Sequence, residues 1–263
     1  MAKTQKEMAF LRDLIADDWT RRFTELVDKH LDLSDSENLL YINAGTGGHA
    51  LFLDEKFGSQ ADIFASCENE DMLTIARDKA AAVSSRAEFS AMRFEDDAFD
   101  AVLADASFVP PSGVEGFIGD TIRVARTGGD VAIFLPSAGS FGEVFSLLWE
   151  VLYTDDPDEH GHAAESLINE LPSVSRIEAI AANAGMVNVR TETATEILEF
   201  DNGKAFVTSP LAEDFLFPNW LATLDENERE RVTNDLAELI ETEDGEMSFK
   251  FSIKATLLTG EKG

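Results

Sequence analysis

Cysteine is nearly missing from this chain: Cys67 stands alone in 263 residues. An internal disulfide is excluded, and a reducing, cytoplasmic compartment is expected. Long apolar runs are missing as well. No stretch approaches the ~18 residues of a membrane span, and residues 1–30 carry no leader-peptide pattern. Positive charge is scarce. The 21 Lys and Arg face 51 Asp and Glu, for a formal net charge of −30. The acids are spread along the whole chain and repel nucleic-acid phosphates and anionic lipid, so neither is expected as a partner. This surface suits a high-salt cytoplasm, where dispersed acids hold water, or a basic protein partner. Charge alone does not separate the two. What remains is ordinary. A hydrophobic content of 44% and this length can bury a large core, so one α/β domain with an insertion is the simplest organisation.

The chain is organised around residues 39–53, Leu-Leu-Tyr-Ile-Asn-Ala-Gly-Thr-Gly-Gly-His-Ala-Leu-Phe-Leu. The run Leu39, Leu40, Ile42 is too short for a helix and suits a strand covered on both faces. Gly45, Gly47 and Gly48 permit a turn with positive φ and close approach of a ligand. Ala50, Leu51 and Leu53 begin a helical stripe. A helix that starts on such a turn leaves open N–H groups and a positive dipole end. Gly45–Ala50 fits G-x-G-x-x-G/A of nicotinamide and flavin binders, a weak match by itself.

The longer stretch resembles the first motif of the class I S-adenosylmethionine (SAM)-dependent methyltransferases, acid-x-Gly-x-Gly-x-Gly. Aligned on Gly45-Thr46-Gly47, Tyr41 stands in the acid's place and Asn43 in that of the first glycine. Downstream, Cys67-Glu68-Asn69-Glu70-Asp71-Met72-Leu73 resembles the family's acid-x-Ser-x-x-Met-Leu turn, with Cys67 in the slot of the ribose-binding acid. Glu68, one residue later, faces elsewhere unless the turn is rearranged. Phe94–Val102 resembles the family's Phe-x-Asp-x-x-Phe-Asp-x-Val turn and fourth strand. The segment before it, Ser90-Ala91-Met92-Arg93, has no acid for the adenine amino group. Asp105 ends that strand as a candidate general base or orienting acceptor. Residues 122–136 resemble the helix, Gly-Gly turn and fifth strand, with Gly128 expected as a left-handed helix cap.

The resemblance implies a Rossmann-like α/β fold with a seven-stranded, mostly parallel sheet flanked by helices. An amphipathic helical segment, residues 1–37, precedes the methyltransferase-like domain, residues 38–263. Residues 203–243 read as a helical cap insertion, in which Phe206, Phe215, Phe217, Trp220 and Leu221 are available to line an apolar cavity or to pack. The layout is similar to the quinone- and sterol-type small-molecule branch. Asp155, Asp156, Asp158, Glu159, His160 and His162 have the residue types of a metal site without fixed spacing, and no metal is expected.

The resemblance thus implies methyl transfer from SAM to a small apolar acceptor. The cofactor would be held around Tyr41, Asn43, Gly45, Thr46, Gly47, Cys67, Glu68, Met92, Arg93 and Asp105. Neutral residues at three usual acid positions each cost a charge-assisted bond, on the order of 1.5–3 kcal/mol. Two other readings therefore stay open: a pseudo-methyltransferase serving as a binding partner, and a nicotinamide-dependent oxidoreductase.

Overall fold

The structure is a computed structural model that describes residues 3–33, 35–92, 94–155, 171–244 and 248–263. Arg93 and residues 156–162 of the acidic His/Asp stretch lie outside the described residues. The chain forms two compact units. One comprises residues 1–135, 174–193 and 256–263; the other comprises the described residues of 136–173 and 194–255.

In the first unit, helices α1 (Gln5–Leu14) and α2 (Thr20–His30) precede strand β1 (Asn38–Ile42) and helix α3 (Gly48–Phe57). Then come β2 (Asp62–Ser66), α4 (Glu70–Val83), β3 (Glu88–Ser90), β4 (Phe99–Asp105), α5 (Val114–Val124) and β5 (Ala125–Pro136). Later in the chain lie α6 (Gly142–Asp155), α7 (Val174–Asn183), β6 (Met186–Phe200) and β7 (Phe249–Lys262). The seven strands form one sheet in the order β3-β2-β1-β4-β5-β7-β6. β1 pairs in parallel with both β2 and β4, so that Leu40 lies level with Phe64 on one side and Val102 on the other. β6 and β7 run antiparallel: Asn188 meets Glu261 near one end, and Glu199 meets Lys250 near the other.

Burial explains the central position of β1. Leu39, Leu40 and Tyr41 are all buried, as both faces of a central parallel strand must be. Leu40 faces a core with Val102, Ala104, Ile118, Ile122, Val131 and Ile133. On the opposite face Tyr41 packs edge-on to Phe134, which stacks on Phe23 of α2. The N-terminal segment is two helices, broken at 15–19, where the fully buried Trp19 turns inward and its indole N–H donates to Ser107 Oγ at 3.0 Å. Asn69 caps α4, its Oδ1 accepting from Met72 N at 2.9 Å. Only eight residues separate β3 from β4, too few for the helix that usually joins strands running the same way.

Gly128 differs from expectation. It is left-handed, with φ +76°, but it lies inside β5 and does not cap α5. The helix ends on Ala125 in extended geometry, and that residue already pairs with Phe99 of β4. The carbonyls at the helix end are taken elsewhere: Arg123 O accepts from Asp97 N, Val124 O from Ala98 N, and Lys262 Nζ reaches both Arg123 O and Ala125 O. Gly128 and Gly129 instead form an irregularity in the β4–β5 register, where a Cβ on Gly129 would meet Asp100 O at 2.8 Å.

The second unit contains α6, helix α8 (Gly203–Val207), a π-helical turn (Leu211–Leu216), the short α9 (Phe217–Trp220) and α10 (Glu226–Asp244). Its centre is aromatic. Phe206 contacts Phe200, Phe217, Phe249 and Phe251, while Trp220 sits edge-on to Phe141 and Phe145. Phe206, Phe217 and Leu221 are buried within this packing, and Phe215 and Trp220 are half-buried.

Candidate active site

The turn between β1 and α3 takes left-handed geometry three times within five residues: Asn43 (φ +56°), Gly45 (+57°) and Gly47 (+81°). Each has its own reason. Asn43 tolerates this region better than most side chains, and its Nδ2 donates to Asp105 O at 3.2 Å, tying the turn to the end of β4. Gly47 is a packing glycine, since a Cβ there would lie 2.7 Å from Phe89 and 2.9 Å from Ala76. Gly45 faces the Arg12 guanidinium, with 3.8 Å from its Cβ position to Arg12 Nε. Its N–H donates to Glu68 Oε2 at 3.0 Å.

Glu68 therefore reaches the glycine turn. Parts of the residue meet solvent, yet its carboxyl sits in a crowded place. Desolvation raises its pKa, the Arg12 charge works against that, and Asp105 adds to it, leaving the value above the ordinary one. Cys67, in the slot counted for the acid, is buried, and its thiol is pushed up to about 12, first by burial and then by the Glu68 charge. It is an inert thiol, not a nucleophile.

Helix α1 contributes the strongest charges. Arg12 and Asp105 form a buried ion pair, Nη2 to Oδ2 at 2.9 Å, each about 5% exposed or less. Arg12 Nη1 also donates to Thr20 Oγ1 at 2.7 Å, and its guanidinium lies 4.6 Å from the Phe108 ring centre. Asp105 Oδ1 accepts from Ser107 N at 2.7 Å. Both carboxylate oxygens of Asp105 are thus engaged within the protein. Next to Arg12, Asp13 accepts from both Thr46 Oγ1 and Lys79 Nζ. Desolvation is the largest influence on Asp13 and raises its pKa, but these two partners together outweigh it and leave it lowered.

Two cavities of about 410 Å³ each flank this arrangement. The first is lined by Arg12, Thr20, Asp28, Gly45, Thr46 and His49, among others. The second is lined by Ile42, Asn43, Cys67, Glu68, Met92 and Phe117, among others. The Glu68–Gly45 hydrogen bond joins the wall of one to the wall of the other. Asn43, Cys67, Glu68 and Met92 thus meet in one cavity and Gly45 and Thr46 in its neighbour. Tyr41 is buried below the turn, and Gly47 packs away from both.

The family model described as "Methyltransferase domain" matches residues 40–129, the segment from β1 into β5 that carries the turn, Glu68 and Asp105. Over those residues the chain is similar to the methyltransferases. A curated relative, demethylmenaquinone methyltransferase of Thermus thermophilus, is 29% identical over 192 residues, covering 67% of this chain and 84% of that protein. Among solved structures, the YcgJ protein of Bacillus subtilis superposes with a TM-score of 0.57 at 14% identity, covering 92% of this chain and 98% of that one. Phosphoethanolamine N-methyltransferase 2 of Haemonchus contortus gives 0.56 at 14% identity, over 98% of this chain and 57% of that one. These two likenesses concern the fold.

Several side chains at the site escaped sequence reasoning: Arg12, Asp13, Asp28, His49 and Lys79. Only Arg12 left a trace. It lies four residues after Met8 and three before Ile15, on the apolar stripe of its helix, where an arginine requires a partner. Among the described residues no group of His, Cys, Asp and Glu is arranged to hold a metal, and no helix is long and apolar enough to cross a membrane.

Proposed function

We propose that the protein transfers a methyl group from SAM to a small apolar acceptor. The observation that carries this reading is the Glu68 carboxylate held on the Gly45 amide, where the two cavities adjoin. The family match supports SAM as the cofactor, and the residues present suit it. Glu68 supplies a carboxylate that can accept from ribose hydroxyls, the role expected of position 67. Arg12 supplies a cation at the first cavity for the carboxylate of the amino-acid end. Leu40, Ile42, Phe94 and Phe117 give the second cavity apolar surface for a nucleobase. SAM brings the electrophilic methyl on its sulfonium; the protein holds, orients and excludes water. The likeness to a demethylmenaquinone methyltransferase, together with a surface that repels nucleic acid, supports an apolar small molecule as acceptor.

Isothermal titration of the full chain with S-adenosylhomocysteine tests this. Micromolar binding is expected, and Glu68→Ala should weaken it about 10- to 100-fold, in line with one lost charge-assisted bond. Silence at millimolar ligand would overturn the reading in favour of a fold kept without its cofactor.

A further inference from the structure

Tyr41 occupies the position at which the resemblance leads one to expect an acid, and the structure shows what the phenol does there. Its ring is buried at 1% exposure, pointing to the face that carries α2 and α3. Its hydroxyl lies 3.4 Å from His49 Nδ1, in the first turn of α3, and the two rings meet edge-on. His49 Nε2 lies 3.2 Å from Asp28 Oδ1 on α2. Phe52, one turn further along α3, stacks on the other side of the imidazole at 15°. One proton arrangement satisfies all three polar groups: Tyr41 O–H donates to Nδ1, and Nε2–H donates to Asp28.

The chain spans the cofactor turn. Tyr41 is the penultimate residue of β1 and His49 the second of α3. Between them lie the left-handed Asn43, Gly45 and Gly47. Such a turn is flexible in the unfolded chain, and its folded geometry is set by contacts from outside it, among them Asn43 to Asp105, Gly45 to Glu68 and Thr46 to Asp13. A strut from strand end to helix start, anchored on α2, fixes the distance between the two and so fixes where the Gly45 amide points. A burial role for Tyr41 needs only the ring; the hydroxyl and its two successive partners are beyond that need. We propose that Tyr41, His49 and Asp28 act as positioning residues that hold the glycine turn in its ligand-binding geometry, in the place of the missing acid. This rests on the methyltransferase reading of the site, although the strut can be tested without a ligand.

Three variants of the full chain carry the test: Tyr41→Phe, which removes one oxygen and keeps the ring, His49→Ala, and the double variant. Each single change should weaken S-adenosylhomocysteine binding about tenfold, the scale of one buried hydrogen bond. The double variant should lose no more than the worse single one, because the groups act as one unit. His49→Gln, which keeps a donor and an acceptor, should restore most of the affinity to a His49 variant. Amide hydrogen exchange at residues 44–48 should accelerate in the unliganded Tyr41→Phe protein while exchange in β4 and β5 stays unchanged. Unchanged exchange at the turn, or additive losses of affinity, would overturn the strut. If wild-type protein binds no S-adenosylhomocysteine, the functional reading fails, and the exchange measurement alone still decides the strut.

Discussion

The two cavities beside the glycine turn are alike in size and are held together in different ways. One takes its walls from charged and hydroxyl-bearing side chains of α1 and α2 (Arg12, Thr20, Asp28) laid against the start of α3. The other takes its walls from β1, the tip of β2 and the flank of α5, where Leu40, Ile42, Phe94 and Phe117 stand beside Asn43, Glu68, Asp120 and Arg123. The first is held by directional contacts between parts of the chain far apart in sequence: Arg12 to Asp105, Asp13 to Thr46 and Lys79, Asp28 to His49. The second is held by packing that follows from strand order. Walls held by paired charges depend on partners, so removing one group leaves another stranded. Walls held by strand packing tolerate loss at the rim.

That contrast sets the order of expected effects. Arg12→Met should be the most damaging, because it leaves Asp105 buried without its cation. The expected loss is about 3–5 kcal/mol in urea unfolding. Arg12→Met combined with Asp105→Asn should recover most of it, since the asparagine keeps an acceptor for Ser107 N and carries no charge. If the single change costs no more than an ordinary surface substitution, the two cavities are not built differently.

The effect of acid on Asp13 comes next. Its folded pKa is lowered below the ordinary 3.8, so its contribution to stability is present above that value and is lost as pH falls through the lowered one. Urea midpoints measured between about pH 2 and 5 should therefore drop less steeply in Asp13→Asn than in wild type. Equal slopes would mean that the contacts to Thr46 and Lys79 do not hold α1 to the turn. The smallest effect belongs to the cavity held by strand packing. Met92 is 73% exposed at its rim, and Met92→Ala should change stability by no more than about 0.5 kcal/mol. A larger loss there would erase the contrast from the other side.

The same contrast explains what could be read in the sequence. The strand–turn–helix at 38–57, the Asn69 cap and the buried β4 are local patterns, and each is present. The reach of Glu68 depended on how the β2–α4 turn folds, and counting back from Met72 assumed a turn of family length. The role of Gly128 depended on Ala125 ending a helix and pairing with Phe99 at once, a matter of register between β4 and β5. Arg12 needed a partner 93 positions away. Local signals therefore located the wall built by the strands, and the wall built by paired charges was legible only once the fold had brought its members together.

The brief link between β3 and β4 has a further consequence. Eight residues must cross from the outer strand β3 past β2 and β1, leaving no length for a helix of their own, and Phe94 from this link and Phe117 from α5 pack against the cluster around Leu40. On the proposed reading of the site, a purine enlarged at its outer rim would meet the Phe94 and Phe117 rings there and no linking helix.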